Sequence, residues 1–182
     1  MPSRPLFAGA IVALATIVAS ASGGEATDGV TFATAHVRGV ATPGVRAPKF
    51  LLARLDGRAV SSRALVGRPL LINVFASWCA TCRVEEPLLV GAYAKYRTRV
   101  AFLGVDEQEG AEKAAGYVRA LRVPYPIALD DGQFAASYDT SKIPETILID
   151  ARGIVRAVFR GFVPASVLDR ELTAVATRKE NT

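Results

Sequence analysis

Cysteine and histidine are scarce in this sequence: two cysteines, Cys79 and Cys82, and one histidine, His36, in 182 residues. A zinc site needs four ligands from Cys, His or carboxylate, and His36 stands far from both cysteines in a stretch of Ala, Gly and Thr. A closed zinc centre is thereby disfavoured, while half a site shared across a dimer and a soft copper site stay open. The same count argues against a disulfide framework. A bridge closed over two intervening residues constrains the unfolded chain little, since that stabilisation grows with loop length. Blocks of like charge are also missing. The 22 basic and 17 acidic residues, a net charge of +5, are interspersed, which is the pattern of a solvated surface and not of a nucleic-acid groove. Internal repeats are absent as well.

Long apolar runs are confined to the start of the chain. Met1-Pro2-Ser3-Arg4 supplies a positive charge, Leu6 to Ala19 is almost purely apolar, and Ala19-Ser20-Ala21 is a small-x-small cleavage site. This is the tripartite build of a secretory signal peptide. The apolar run is short against the roughly 20 residues that span a bilayer. The expectation is a signal peptide over 1–21 that is cleaved after Ala21, with an uncleaved N-terminal anchor as the alternative. No cysteine lies nearby for lipid attachment. The protein is therefore expected outside the cytoplasm, in a periplasm or another extracytoplasmic space, where disulfides persist.

Residues 22–46, rich in Ala, Gly, Thr and Val, read as a linker, and 47–182 as one domain. Phe50 to Leu55 and Arg58 to Ser61 flank Asp56-Gly57, a hairpin signature. Leu70 to Phe75 and Arg99 to Val105 read as buried strands. Leu88, Leu89, Ala92 and Tyr96 recur at helical spacing, as do Ala111, Ala114, Ala115, Val118 and Leu121. A short extended run at Pro126 to Leu129 and a brief helix at Phe134 to Tyr138 follow. Thr146 to Ile149 and Ile154 to Phe159 form a turn-bounded strand pair, and Val167, Leu168, Leu172 and Val175 mark a closing amphipathic helix. The order predicts an α/β fold with helices on both faces of a mixed sheet.

What is present is a dithiol in a telling place. Trp78-Cys79-Ala80-Thr81-Cys82 lies where an apolar strand gives way to a helix. Two thiols at this spacing can meet as a small-ring disulfide, and the first lies at the positive end of a helix, where a thiolate is favoured. Dithiol–disulfide exchange is the chemistry that follows.

The order of elements, the Trp-Cys-x-x-Cys and Ile143-Pro144 before a strand resemble the thioredoxin fold, with an added N-terminal β-hairpin. Within it, the chain is similar to the TlpA/ResA/DsbE-like (CcmG-like) extracytoplasmic thiol-disulfide oxidoreductases. The resemblance is carried by Ala47-Pro48 through the hairpin, Gly67 to Cys79, Cys82-Arg83-Val84-Glu85-Glu86-Pro87 and Pro144-Glu145-Thr146-Ile147-Leu148-Ile149-Asp150, covering residues 47 to about 175. Cys79 would be the exposed nucleophile and Cys82 the buried resolving thiol. Glu85, one helical turn beyond Cys82, matches the family's acid, a group able to pass protons to and from that thiol. The alternative is that Glu85, like Glu86, is a solvated helix residue. Asn73 stands where thioredoxin keeps a buried Asp, and it cannot titrate. The resemblance makes the Ile143–Pro144 bond cis and lets Ile143 pair with a substrate strand. Trp78 either shapes that docking surface or serves the core.

Ala80 and Thr81 carry no charge, whereas strongly oxidising relatives place a cation-capable residue there. The protein is therefore expected to act as a disulfide reductant. Glu145 leans the resemblance toward DsbE-like members and cytochrome c maturation. The implied partners are a disulfide-bearing client, with apocytochrome c the candidate, and a membrane thiol-reductant transporter as electron donor. No organic cofactor, metal or nucleic acid is implied. A general periplasmic reductase and a thiol-based copper chaperone are the competing functions. A peroxiredoxin-type peroxidase is disfavoured, because the Thr or Ser it needs three residues before its cysteine is Ala76 here.

Overall fold

A computed structural model of the chain describes residues 41–177. The expected signal peptide and most of the expected linker lie outside the described residues. Seven strands, β1 (Leu51–Arg54), β2 (Ala59–Ser61), β3 (Leu70–Phe75), β4 (Ala101–Glu107), β5 (Ile127–Asp130), β6 (Glu145–Ile149) and β7 (Val155–Arg160), form one sheet in the order β2-β1-β5-β4-β3-β6-β7. Four α-helices are interleaved: α1 (Ala80–Tyr96), α2 (Ala111–Leu121), α3 (Gln133–Tyr138) and α4 (Ala165–Thr177). The pairs β3/β4 and β4/β5 are parallel, and β1/β2, β1/β5, β3/β6 and β6/β7 are antiparallel. This is the thioredoxin-like α/β fold with its N-terminal hairpin.

β3 is the central strand of the site, and its sequence explains its place. All six of its residues are buried, as a strand paired on both edges and covered on both faces requires. Alternation then divides it between two cores. Leu71 and Phe75 join a cluster with Leu89, Tyr96, Tyr117, Leu148, Leu168, Leu172 and both cysteines. Leu70, Ile72 and Val74 join another with Phe50, Phe134, Tyr138, Ile147 and Val155. α1, α2 and α4 cover the first face. Tyr96 ties α1 to α4, its hydroxyl donating to Asp169 Oδ1 at 2.8 Å and lying 2.7 Å from Thr173 Oγ1.

Two expectations shift. The strand read from Arg99 begins at Ala101, because the Arg99 and Val100 amides both turn back to the Tyr96 carbonyl at 2.8 Å and close the end of α1. The last residues of the expected linker are part of the packed domain: Ala41 is buried, the Gly44 amide donates to the Val155 carbonyl, and Arg46 bridges to Ile154. Composition hid this, since small residues pack without an apolar pattern.

Candidate active site

β3 ends at Phe75, and after four further residues the chain enters α1 at Ala80. Cys79 is the N-cap of that helix, with extended backbone (φ −77°, ψ 105°), and its Sγ accepts the Cys82 amide at 3.1 Å. The first amides of a helix lack intrahelical partners, so a sulfur in this position sees donors and the positive end of the peptide dipoles. Cys79 and Cys82 are joined as a disulfide, with Cα atoms 5.3 Å apart. The expectation of an exposed Cys79 is corrected in this oxidised form. Cys79 is 6% exposed and Cys82 2%, because both sulfurs belong to the buried cluster that holds Phe75 and Tyr117. Cys79 is still the more accessible of the two. Ala80 and Thr81, between them, face solvent.

Glu85 is buried, 1% exposed. Its Oε1 accepts the Val163 amide at 2.7 Å and its Oε2 the Asn73 side-chain amide at 3.1 Å. Burial pushes this carboxyl above its ordinary range, the two amide bonds pull it down, and the neighbouring Glu86 adds a further upward push. The position held by a titratable Asp in thioredoxin thus supplies a neutral donor to the acid. Glu86 is buried as well, also 1% exposed, which overturns its reading as a solvated residue. It accepts the Tyr125 hydroxyl on Oε1 and the Tyr117 hydroxyl on Oε2 at 3.1 Å. Nothing in the helical pattern marks it, because its partners come from residues 31 and 39 positions away.

The Ile143–Pro144 bond is cis. Pro144 is buried just ahead of β6, and Ile143 packs against the cluster that contains both cysteines. The next residue, Glu145, pairs with Val74 near the end of β3, so the proline loop and the dithiol share one end of the sheet. Burial raises the Glu145 carboxyl to about 7, against the pull of Arg160, whose Nε is 3.2 Å away. Trp78 is 69% exposed, so it belongs to the surface and not to the core.

Several neighbours of the site carry little or no signature in the sequence. Gly161, in the left-handed region at φ 99°, donates its amide to the Pro144 carbonyl at 2.7 Å, and two residues on Val163 holds Glu85. That turn places Phe162 on the surface at this same end, exposed like Val84. Glu109 receives both the amide and the hydroxyl of Ser77, the latter at 2.6 Å, and so ties the loop after β4 to the residue before Trp78. Asp106, buried behind it, is raised to about 7 by burial and by the Glu109 carboxyl. Their only signal in the sequence is the acidic run from Asp106 to Glu109, which reads as an exposed loop.

The AhpC/TSA family model matches residues 43–158. The thiol:disulfide interchange protein DsbE of Tatumella citrea is 37% identical over 130 residues, which cover 69% of each chain. DsbE of Escherichia coli K12 is 34% identical over 130 residues, again 69% of each. The chain belongs to the AhpC/TSA family and is a thiol-disulfide oxidoreductase of the DsbE type. Among solved structures, a thiol:disulfide interchange protein of the thioredoxin family from Chlorobium tepidum is 26% identical with a TM-score of 0.67, covering 75% of this chain and 98% of its own. A dsbF of MTB is 28% identical with a TM-score of 0.67, covering 71% and 98%. The DsbE-type chemistry fits the one redox pair in the sequence: Cys79 and Cys82 form the redox-active disulfide, and exchange with the thiols or disulfides of client proteins is its reaction. Ala76, buried behind the pair, offers no hydroxyl of the kind a peroxidatic cysteine needs.

Reduction followed by a limiting pulse of iodoacetamide should label Cys79 first, about tenfold or more ahead of Cys82, because only Cys79 combines helix-end stabilisation with access. Peptide mapping by mass spectrometry reads the ratio; equal labelling would remove the distinction between the two thiols.

Proposed function

We propose that this DsbE-type enzyme is an extracytoplasmic disulfide reductant that serves cytochrome c maturation. The observation that carries the direction of electron flow is the uncharged, solvent-facing Ala80-Thr81 pair between the cysteines. Nothing there adds to the helix end in stabilising a thiolate, so the reduced form is less favoured and gives its electrons away. The N-terminal apolar run and its cleavage signal support export, and Pro144-Glu145-Thr146 supports the narrower role.

The reaction runs in two exchanges. The Cys79 thiolate attacks one sulfur of the client disulfide, forming a mixed disulfide and releasing the client's other sulfur as a thiolate. Cys82 then loses its proton to the Glu85 carboxylate and attacks Cys79 Sγ. The second client sulfur leaves, and the client now holds two electrons while the protein holds the Cys79–Cys82 disulfide. A membrane thiol donor restores the dithiol by the same steps in reverse. Glu85 suits the proton role because burial raises its carboxyl above the ordinary carboxylate range and so makes it a better proton acceptor. Ile143, ahead of the cis proline, offers its backbone to an extended client segment. Trp78, Val84 and Phe162 provide exposed apolar surface at that end.

Three measurements test this reading. The midpoint potential should lie well below the about −120 mV of a strong periplasmic oxidant; a value near that figure would reverse the direction of flow. Glu85→Gln should slow the second exchange by about a hundredfold near neutral pH and flatten its pH profile, and an unchanged profile would remove Glu85 from the proton path. A Cys82→Ala variant cannot resolve the mixed disulfide and holds its client on Cys79. Apocytochrome c in adducts from the periplasmic fraction is the expected result. Many unrelated proteins there would replace the narrow role with general reduction, and adducts formed only in the cytoplasm would refute the compartment.

A further inference from the structure

Glu85 and Glu86 are equally buried, yet they face opposite kinds of partner. Glu85 meets two amide N–H groups, one on each oxygen. An amide N–H can only donate, so both oxygens must offer lone pairs, and the ionised carboxylate satisfies both. Glu86 meets two phenol hydroxyls, which can give or take.

Counting protons distinguishes the two acids. The single hydroxyl proton of Tyr117 faces two acceptors, Glu86 Oε2 at 3.1 Å and the Cys82 carbonyl at 3.2 Å. With Glu86 ionised, one of those contacts has no proton. With a proton on Oε2, Glu86 donates to the Tyr117 oxygen, Tyr117 donates to the Cys82 carbonyl, and Tyr125 donates to Oε1. Every polar atom is then matched, as a buried network requires. We propose that Glu86 is held as the neutral carboxylic acid and, as the middle link of a chain from Tyr125 through Tyr117 to the Cys82 carbonyl, is a positioning residue for the second cysteine.

The surroundings agree. Burial is the largest influence on Glu86 and drives its carboxyl upward, with the two tyrosine bonds opposing. The groups around it are Glu85 and Arg83 on α1, Tyr117 on α2 and Tyr125 ahead of β5, with Tyr93 of α1 packed on Tyr125 at 5.7 Å. Arg83 lies over the Tyr117 ring, 5.5 Å from its centre, and gives its Nε to the Ser77 carbonyl. Among the described residues no cation bonds to Glu86. Two adjacent carboxyls in one buried helix turn repel when both are charged, so environments this different drive their titrations apart. Glu86 keeps its proton and leaves Glu85 free to exchange one. The positioning role rests on the reading of Cys82 as the resolving thiol; the protonation state does not.

The sign follows from linkage. A carboxyl raised on folding binds more protons in the folded than in the unfolded state. Its stabilisation is full below the unfolded carboxylate range and is lost as pH rises through the folded value. Glu86→Gln copies the neutral acid, with an amide N–H toward Tyr117 and an oxygen toward Tyr125, but does not titrate. The stability of the native sequence relative to E86Q, read by urea unfolding, should therefore fall steadily as pH rises above the ordinary carboxylate range. A difference that stays flat or grows would overturn the neutral acid. Asp106 and Glu145 also contribute protonated carboxyl near neutral pH, so the infrared reading is a difference. The native spectrum minus that of E86Q should show a protonated-carboxyl band that the native minus E85Q difference lacks, and a native minus E86Q difference without that band would likewise overturn it. These two readings need no client, so a failure of the proposed function leaves them standing. For the positioning role, a preformed mixed disulfide between Cys79 and an aromatic thiol reporter should resolve about fivefold more slowly in E86A and in Y117F, the rate equivalent of one hydrogen bond, with E86Q restoring the rate lost in E86A. Native rates in E86A and Y117F would overturn that role.

Discussion

Desolvation of two adjacent carboxyl groups is the constraint around which this active site is organised. Packing α1 against β3 takes Glu85 and Glu86 out of water, and a buried polar group without partners is costly. The surrounding elements answer that cost. β3 contributes Asn73, the turn after β7 contributes the Val163 amide, α2 contributes Tyr117 and the segment before β5 contributes Tyr125. Four separate parts of the chain thus converge on one helical turn, directly beyond the disulfide. The network that satisfies the acids also fixes the second cysteine, through the bond from Tyr117 to its carbonyl.

The sheet order explains how the rest of the site assembles. β3 lies between β4 and β6. Its parallel neighbour β4 ends beside it and leads into the loop whose Glu109 grips Ser77. Its antiparallel neighbour β6 begins beside it, directly after the cis proline. The dithiol, the proline loop and the acidic loop therefore meet at one end of the sheet, although they are separated by tens of residues in the chain. Chemistry at the junction of a strand and a helix gains a helix N-terminus for the sulfur.

Much of this was legible beforehand. Apolar runs, turn signatures and helical spacing located the strands and α-helices of the described residues, with boundaries displaced where a turn reused a backbone group, as at Arg99. The dithiol was readable because it rests on a short local motif, and the cis proline because the family resemblance implies it. Glu85 was singled out by spacing and resemblance, and the structure adds its burial and its two donors. Glu86 was not readable, since its role depends on tyrosines from other elements. Asp106 and Glu109 were hidden for the same reason: an acidic run reads as solvated unless the fold is known to press it against something. Trp78, left between surface and core by its sequence context, lies on the surface.

By itself, the amino-acid order determined which residues could do redox chemistry here, because two cysteines in a Trp-Cys-x-x-Cys at a strand-to-helix junction leave few other candidates. It determined the fold class too, since the spacing of apolar side chains is a local property of the sequence. The tertiary structure alone decided how each acid is solvated and bonded. Protonation depends on burial and on which donors arrive from distant segments, and neither quantity is encoded at the position of the residue itself.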